Sequence, residues 1–213
     1  MTIRHHLSDP LLMAYAAGTI PEAFGLVIAT HVSMCDDCRA RLAAFEAVGG
    51  AVLETSQVEM SAGSLDACFD RISTMTPPAP PPARKAGVLP APLQDYVGGD
   101  LERVRWRPLG FGAKQAILPC ADRSASVRLL AIPGGVAMPD HTHRGLELTL
   151  VLQGAFTDDD DRFERGDVEI ADAEVDHTPV AAPGVTCICL AATQGRLKFS
   201  SLIPRLAQPF LRI

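Results

Sequence analysis

The run Thr76-Pro77-Pro78-Ala79-Pro80-Pro81-Pro82-Ala83-Arg84-Lys85-Ala86-Gly87 constrains this chain more than any other feature. Proline has a fixed φ and no N–H to donate. Five prolines in six positions therefore exclude a helix or a central strand and favour extended polyproline II. The run divides the 213 residues into unlike parts, helical before it and β-rich after it. The expected organisation is α + β in two domains: a helical domain over residues 1–75, a stiff linker over 76–92 and an all-β domain over 93–213.

Helix-start signals recur in the first part. Ser8 precedes Asp9-Pro10, with Pro10 tolerable in a first turn and Gly18 suited to a stop. Thr19-x-x-Glu22 has the form of a capping box, and Ser33-x-x-Asp36 is a weaker version opening a third helix. Along that helix Cys38, Leu42, Phe45, Gly49 and Val52 fall on one face, which predicts a buried seam. A fourth segment begins at Ser64 and places Leu65, Cys68, Phe69, Ile72 and Met75 at helical spacing. The expectation is four helices.

Beyond the linker, short strand-like runs at residues 127–132, 147–152, 167–170 and 186–190 are separated by Gly, Pro and Asp. Many short strands with frequent turns indicate a sandwich or barrel. The acidic run at residues 158–161 is expected at a solvated hairpin tip.

Two groups of residues carry metal-binding chemistry. In the first, His31-x3-Cys35-x2-Cys38 offers three zinc-type ligands within eight residues. Both cysteines are expected in the first turn of the helix capped by Ser33, where the helix N-terminus favours thiolate. A fourth ligand must come from elsewhere, and His5 and His6 are the other imidazoles of the domain. His6, just before the Ser8 cap, is the chosen one. A domain of about 75 residues has a thin core, so a metal clip there matters for stability.

In the second group, Gly135-x5-His141-x-His143-x3-Glu147-x6-Gly154 is followed by His177. His141, His143 and Glu147 are all odd-numbered, so an extended chain directs them to one side. The set His141, His143, Glu147 and His177 suits Zn, Fe, Mn or Ni. Tetrahedral zinc with four protein ligands has no open position and implies a structural or sensory ion. Six-coordinate iron or manganese would leave two positions for oxygen or substrate. Cys187 and Cys189 share a strand face, as core residues if it points inward and redox groups if it lies near the metal. Cys68 and Cys120 are expected as buried small hydrophobes.

Charge and composition narrow the classes of function. The net charge of -6 argues against direct nucleic-acid binding. Residues 1–75 carry 4 basic and 9 acidic side chains, a surface suited to a basic partner. No apolar run reaches the length of a membrane span, and the N-terminus lacks an export signal. The cytoplasm is then the expected location, where six cysteines serve as ligands, redox groups or core residues rather than disulfides.

The spacing His6 … His31-x3-Cys35-x2-Cys38 resembles the zinc-binding anti-sigma domain, and the segment 135–154 resembles the first cupin motif. The second cupin motif is partly kept, with Gly166 and His177 in place. Asp172 stands where that motif has proline, Glu174 where it has glycine, and Ala181 where it has asparagine. The two in this order resemble the ChrR type of anti-sigma factor.

That resemblance implies a four-helix anti-sigma domain joined to a cupin, a double-stranded β-helix (jelly-roll) barrel. It implies two zinc ions per chain, the second replaceable by Mn, Fe or Ni. The partner it implies is an extracytoplasmic-function (ECF) sigma factor, bound 1:1 and kept from RNA polymerase. Release would follow oxidative stress, singlet oxygen or related species, sensed by the cupin. The stripe Leu65, Phe69, Ile72, Met75 is expected either to bind the sigma factor or to close the domain core. The alternative is a metal-dependent, dioxygenase-like cupin enzyme with a helical accessory domain.

Overall fold

The computed structural model describes residues 2–77, 86–138, 141–142, 145–158, 161–171, 176–195 and 198–199; at 141–142, 176–177 and 198–199 the description is of backbone alone. Most of the proline run, His143 and the C-terminal residues from 200 onward lie outside the described residues.

Four helices precede the proline run: α1 (Asp9–Ala16), α2 (Glu22–Val32), α3 (Asp36–Thr55) and α4 (Ser64–Thr74). A fifth, α5 (Ala91–Val97), follows it and begins within the residues expected to be linker. The helix starts differ from expectation in their chemistry. Ser8 does occupy the N-cap of α1, but its side chain makes no capping bond. The Thr19 capping box does not form, because Pro21 is the N-cap of α2 and the Thr19 hydroxyl donates back to Ala14 O. The Glu22 N–H donates instead to Asp122 Oδ2 at 2.9 Å, a cap supplied from the β-rich part. Ser33 closes α2, and α3 opens on Cys35.

The expected seam along α3 is buried only at its start. Cys38 and Leu42 are buried and Phe45 is half-buried, whereas Gly49 and Val52 are exposed. A helix of 20 residues is about 30 Å long, and its second half projects past the body it packs on. α4 has no buried residue at all.

Twelve strands are seen among the described residues: β1 (Arg107–Gly110), β2 (Ala113–Leu118), β3 (Ser126–Ile132), β4 (His141–Thr142), β5 (Glu147–Gln153), β6 (Ala155–Asp158), β7 (Asp161–Glu164), β8 (Val168–Ala171), β9 (Asp176–His177), β10 (Val180–Ala181), β11 (Cys187–Thr193) and β12 (Lys198–Phe199). They form a six-stranded sheet in the order β1-β2-β3-β11-β5-β8 and two three-stranded sheets, β10-β6-β7 and β12-β4-β9. β6 and β7 pair as a hairpin at the acidic run, where Asp161 is exposed as expected but Asp158 is buried.

The six-stranded sheet is covered on both faces, so residues 147–152 are all buried, the polar Glu147 and Thr149 included. Leu148, Leu150, Leu152 and Leu190 share one cluster with Phe24, Val27 and Ile28 of α2 and Leu93 of α5. Val151, Cys187 and Cys189 point the other way and pack with Phe156, Phe163 and Ile132 in the barrel interior. The apolar core is thus continuous from the helices into the sheet. Cys68 is exposed and Cys120 half-buried, against the expectation of two buried thiols. Cys68 shares α4 with the exposed stripe, and Cys120 lies 3.8 Å from the Tyr96 hydroxyl.

Candidate metal centre

His6, His31, Cys35 and Cys38 converge so that one ligand atom from each lies within 4.8 Å of all the others. Each arrives by a different local device. Cys35 is the N-cap of α3, and its Sγ accepts the Cys38 N–H at 3.4 Å. The i, i+3 spacing then brings both sulfurs to the same end of the helix. His6 enters from the segment before α1, with Nδ1 3.3 Å from Cys35 Sγ and 3.7 Å from Cys38 Sγ. His31 comes from the last turn of α2 and is fully buried. His5 is turned away, its ring against Phe163 and its Nε2 2.9 Å from Asp161 Oδ2.

The electrostatics suit a cation. His31 Nδ1 lies 2.9 Å from Gly166 O, so this nitrogen carries the proton and Nε2 is left with its lone pair. His31 Nε2 is buried without a hydrogen-bond partner, a costly state for a polar atom unless a ligand takes it up. Burial lowers the pKa of His31 to about 4, which keeps the ring neutral and able to ligate. For Cys38, burial and the neighbouring Cys35 push the thiol up to about 11, overriding the helix N-terminus expected to favour thiolate. A pair of thiolates here therefore needs a positive ion between them. Two imidazoles and two thiols form the donor set of a closed, four-coordinate zinc-type site.

The comparisons with known proteins agree with this architecture. The family model of the ChrR cupin-like domain matches residues 94–196. Over the full length, the chain is 60% identical across 215 residues to the anti-sigma-E factor ChrR of Cereibacter sphaeroides, covering 100% of both chains. This chain belongs to the ChrR family of anti-sigma factors. A crystal structure of Rhodobacter sphaeroides SigE in complex with the anti-sigma ChrR matches with 59% identity and a TM-score of 0.80, over 91% of this chain and 100% of that one.

Within the ChrR cupin-like domain, β4 and β9 pair with His141 opposite His177. Their side chains and all of His143 lie outside the described residues. Glu147 opens β5, is buried, and accepts a hydrogen bond from the Thr149 hydroxyl at 3.0 Å. The backbone thus brings two of the four expected barrel ligands opposite each other. Cys187 and Cys189 are buried with their sulfurs 3.5 Å apart. The contact with Cys189 lowers the pKa of Cys187, while that same contact and burial raise Cys189.

Leu65, Phe69, Ile72 and Met75 are each 60–63% exposed, which removes the reading in which they close a domain core. Val48, Val52 and Leu53 of α3 are exposed as well.

Three groups that shape this molecule were not among the candidate site residues read from the sequence. They are the carbonyl of Gly166, the carboxylate of Asp167 and the buried guanidinium of Arg128. Arg128 donates to Gln115 Oε1 at 3.1 Å and Ser126 Oγ at 3.2 Å. Alternation along β3 could have marked Arg128 as inward-facing. The role of a backbone carbonyl leaves no trace in residue type.

Proposed function

We propose that this chain binds an ECF sigma factor 1:1 and keeps it from RNA polymerase in the cytoplasm. The full-length identity to an anti-sigma factor carries this reading. It also weighs against the dioxygenase-like enzyme, for which a barrel alone would have sufficed. The exposed apolar stripe of α4, with the projecting half of α3, is the surface offered to the sigma factor. Contiguous exposed apolar side chains of this size mark an interaction site. Among the described residues no helix is long and apolar enough to cross a membrane.

His6, His31, Cys35 and Cys38 hold one zinc ion, which supplies the tie between α3, α2 and the N-terminal segment. His141, His143, Glu147 and His177 hold a second ion, zinc or else Mn, Fe or Ni. The barrel senses oxidative stress, singlet oxygen or related species, and releases the sigma factor. Cys187 and Cys189 are the redox candidates beside that ion.

The test is co-expression with candidate ECF sigma factors, followed by native mass spectrometry and metal analysis. The expected result is a 1:1 complex carrying two metal ions per chain of this protein. Absence of any sigma factor complex, with run-off transcription unaffected by the purified chain, would refute the reading.

A further inference from the structure

The four residues of the metal centre are not supported alike. The two cysteines are placed by α3 itself, through the Cys35 cap and the helical spacing. The two histidines are placed by the turn between β7 and β8. Gly166 O receives the His31 Nδ1–H at 2.9 Å. Asp167 Oδ1 accepts the N–H of Arg4 at 2.7 Å and of His5 at 3.0 Å, the two residues directly before His6. The Val168 N–H adds a bond to His5 O at 3.2 Å. Residues 3–5 thus lie as a strap across the turn, with Ile3 over Gly166.

Gly166 has φ +93°, and a Cβ there would stand 2.7 Å from the Ile3 side chain. Asp167 is 1% exposed. Its Oδ2 also takes the Glu164 N–H at 2.8 Å, which closes the turn. Burial by itself would raise its pKa, but the N–H groups of Glu164, His5 and Arg4 hold the carboxyl below its ordinary value.

We propose that Gly166 and Asp167 are positioning residues for the metal centre: the β7–β8 turn of the barrel is its outer shell, orienting both imidazoles and so setting the affinity for a zinc-class divalent ion. This rests on the metal reading above. A histidine ligand whose second nitrogen is held by a carbonyl has its tautomer and ring plane fixed, and losing such support costs about 10- to 100-fold in metal affinity. The turn is itself bonded to β5, since Gly166 N–H donates to Val151 O at 2.8 Å and Val151 N–H donates to Asp167 O at 3.1 Å. The strand that opens with Glu147 and the strap that delivers His6 therefore share one backbone support.

The experiment is titration of the full chain with zinc against a competing chelator, and with cobalt for its thiolate charge-transfer band. Cys187→Ala and Cys189→Ala are included so that the band reports Cys35 and Cys38. Asp167→Ala is expected to weaken zinc binding about 10- to 100-fold and to shift the cobalt spectrum. Asp167→Asn, which keeps an acceptor oxygen for the strap, is expected to recover most of the affinity. Far-UV circular dichroism and Trp106 emission check the fold. Should Asp167→Ala not fold, deletion of residues 2–4 loosens the strap without altering the barrel and should weaken binding in the same direction. Folded variants that bind zinc as tightly as the wild type, with an unchanged cobalt spectrum, would overturn the proposal. Wild-type protein that takes up no zinc at the cysteine-bearing centre would overturn the metal reading, and this inference with it.

Discussion

Phe24→Ala tests whether the helices and the barrel stand as one cooperative unit. Phe24 is 2% exposed on α2, in the same buried cluster as Leu150 of β5 and Leu190 of β11. α2 lies directly against β3, β5 and β11, so the site is walled by two kinds of element and has little freedom to collapse. A Phe→Ala change in such a place costs about 3–5 kcal/mol, transfer and cavity together. That is a large fraction of the roughly 5–15 kcal/mol that holds a folded chain. With a urea dependence near 3 kcal/mol per molar, the midpoint should fall by about 1–1.7 M. Far-UV circular dichroism follows the helices. Emission from Trp106, the one tryptophan of the chain, directly before β1 and packed against the shared core, follows the barrel side. Both signals should move together by the same amount, in zinc-saturated, reducing buffer. If the Trp106 transition stays at the wild-type urea concentration while the helical signal moves, the continuous core does not act as one unit and the reasoning fails.

The metal-free chain should lose stability between pH 6.5 and about 4. His31 binds a proton readily when unfolded but resists one when folded, so its stabilisation is present above pH 6.5 and is lost as pH falls through its folded pKa. The difference corresponds to roughly 3 kcal/mol, checked by urea melts of chelated wild type and His31→Asn, whose pH profiles should diverge across this window. Phe69→Ala should weaken sigma-factor binding by about 2–4 kcal/mol, or roughly 30- to 1000-fold, without moving the melting temperature, because Phe69 is exposed in the free chain; surface plasmon resonance reads the first and calorimetry the second. Cys38→Ala should remove one of two bound metal ions and abolish inhibition in run-off transcription. His177→Ala should leave inhibition intact and blunt release under singlet oxygen, read in a reporter strain.

Much of the local plan was legible in the residues. Helical spacing located the four helices before the proline run, because 3.6-residue periodicity is a property of consecutive side chains. The four residues that converge as the candidate centre were legible too, since Cys35 and Cys38 lie one turn apart and few imidazoles are near. Cap chemistry was less so. Thr19 and Ser33 have the right side chains for caps, yet Asp122, 100 positions away in sequence, holds the start of α2. α5 was hidden because its seven residues directly follow proline-rich sequence and carry too little periodicity to stand out.

The sequence by itself determined which residues could ligate a metal, which segments could be helices, and that residues 77–82 can be neither helix nor central strand. Those are consequences of side-chain chemistry and of spacing along a chain. The tertiary structure alone decided that α2 buries its apolar face on the barrel sheet, that α4 buries nothing, and that a turn between β7 and β8 holds both histidines of a centre more than 130 positions upstream of it. Such contacts join backbone groups and apolar faces across long stretches of chain. Every residue carries a carbonyl and an N–H, so no residue type announces which of them will be used until the fold brings the partners together.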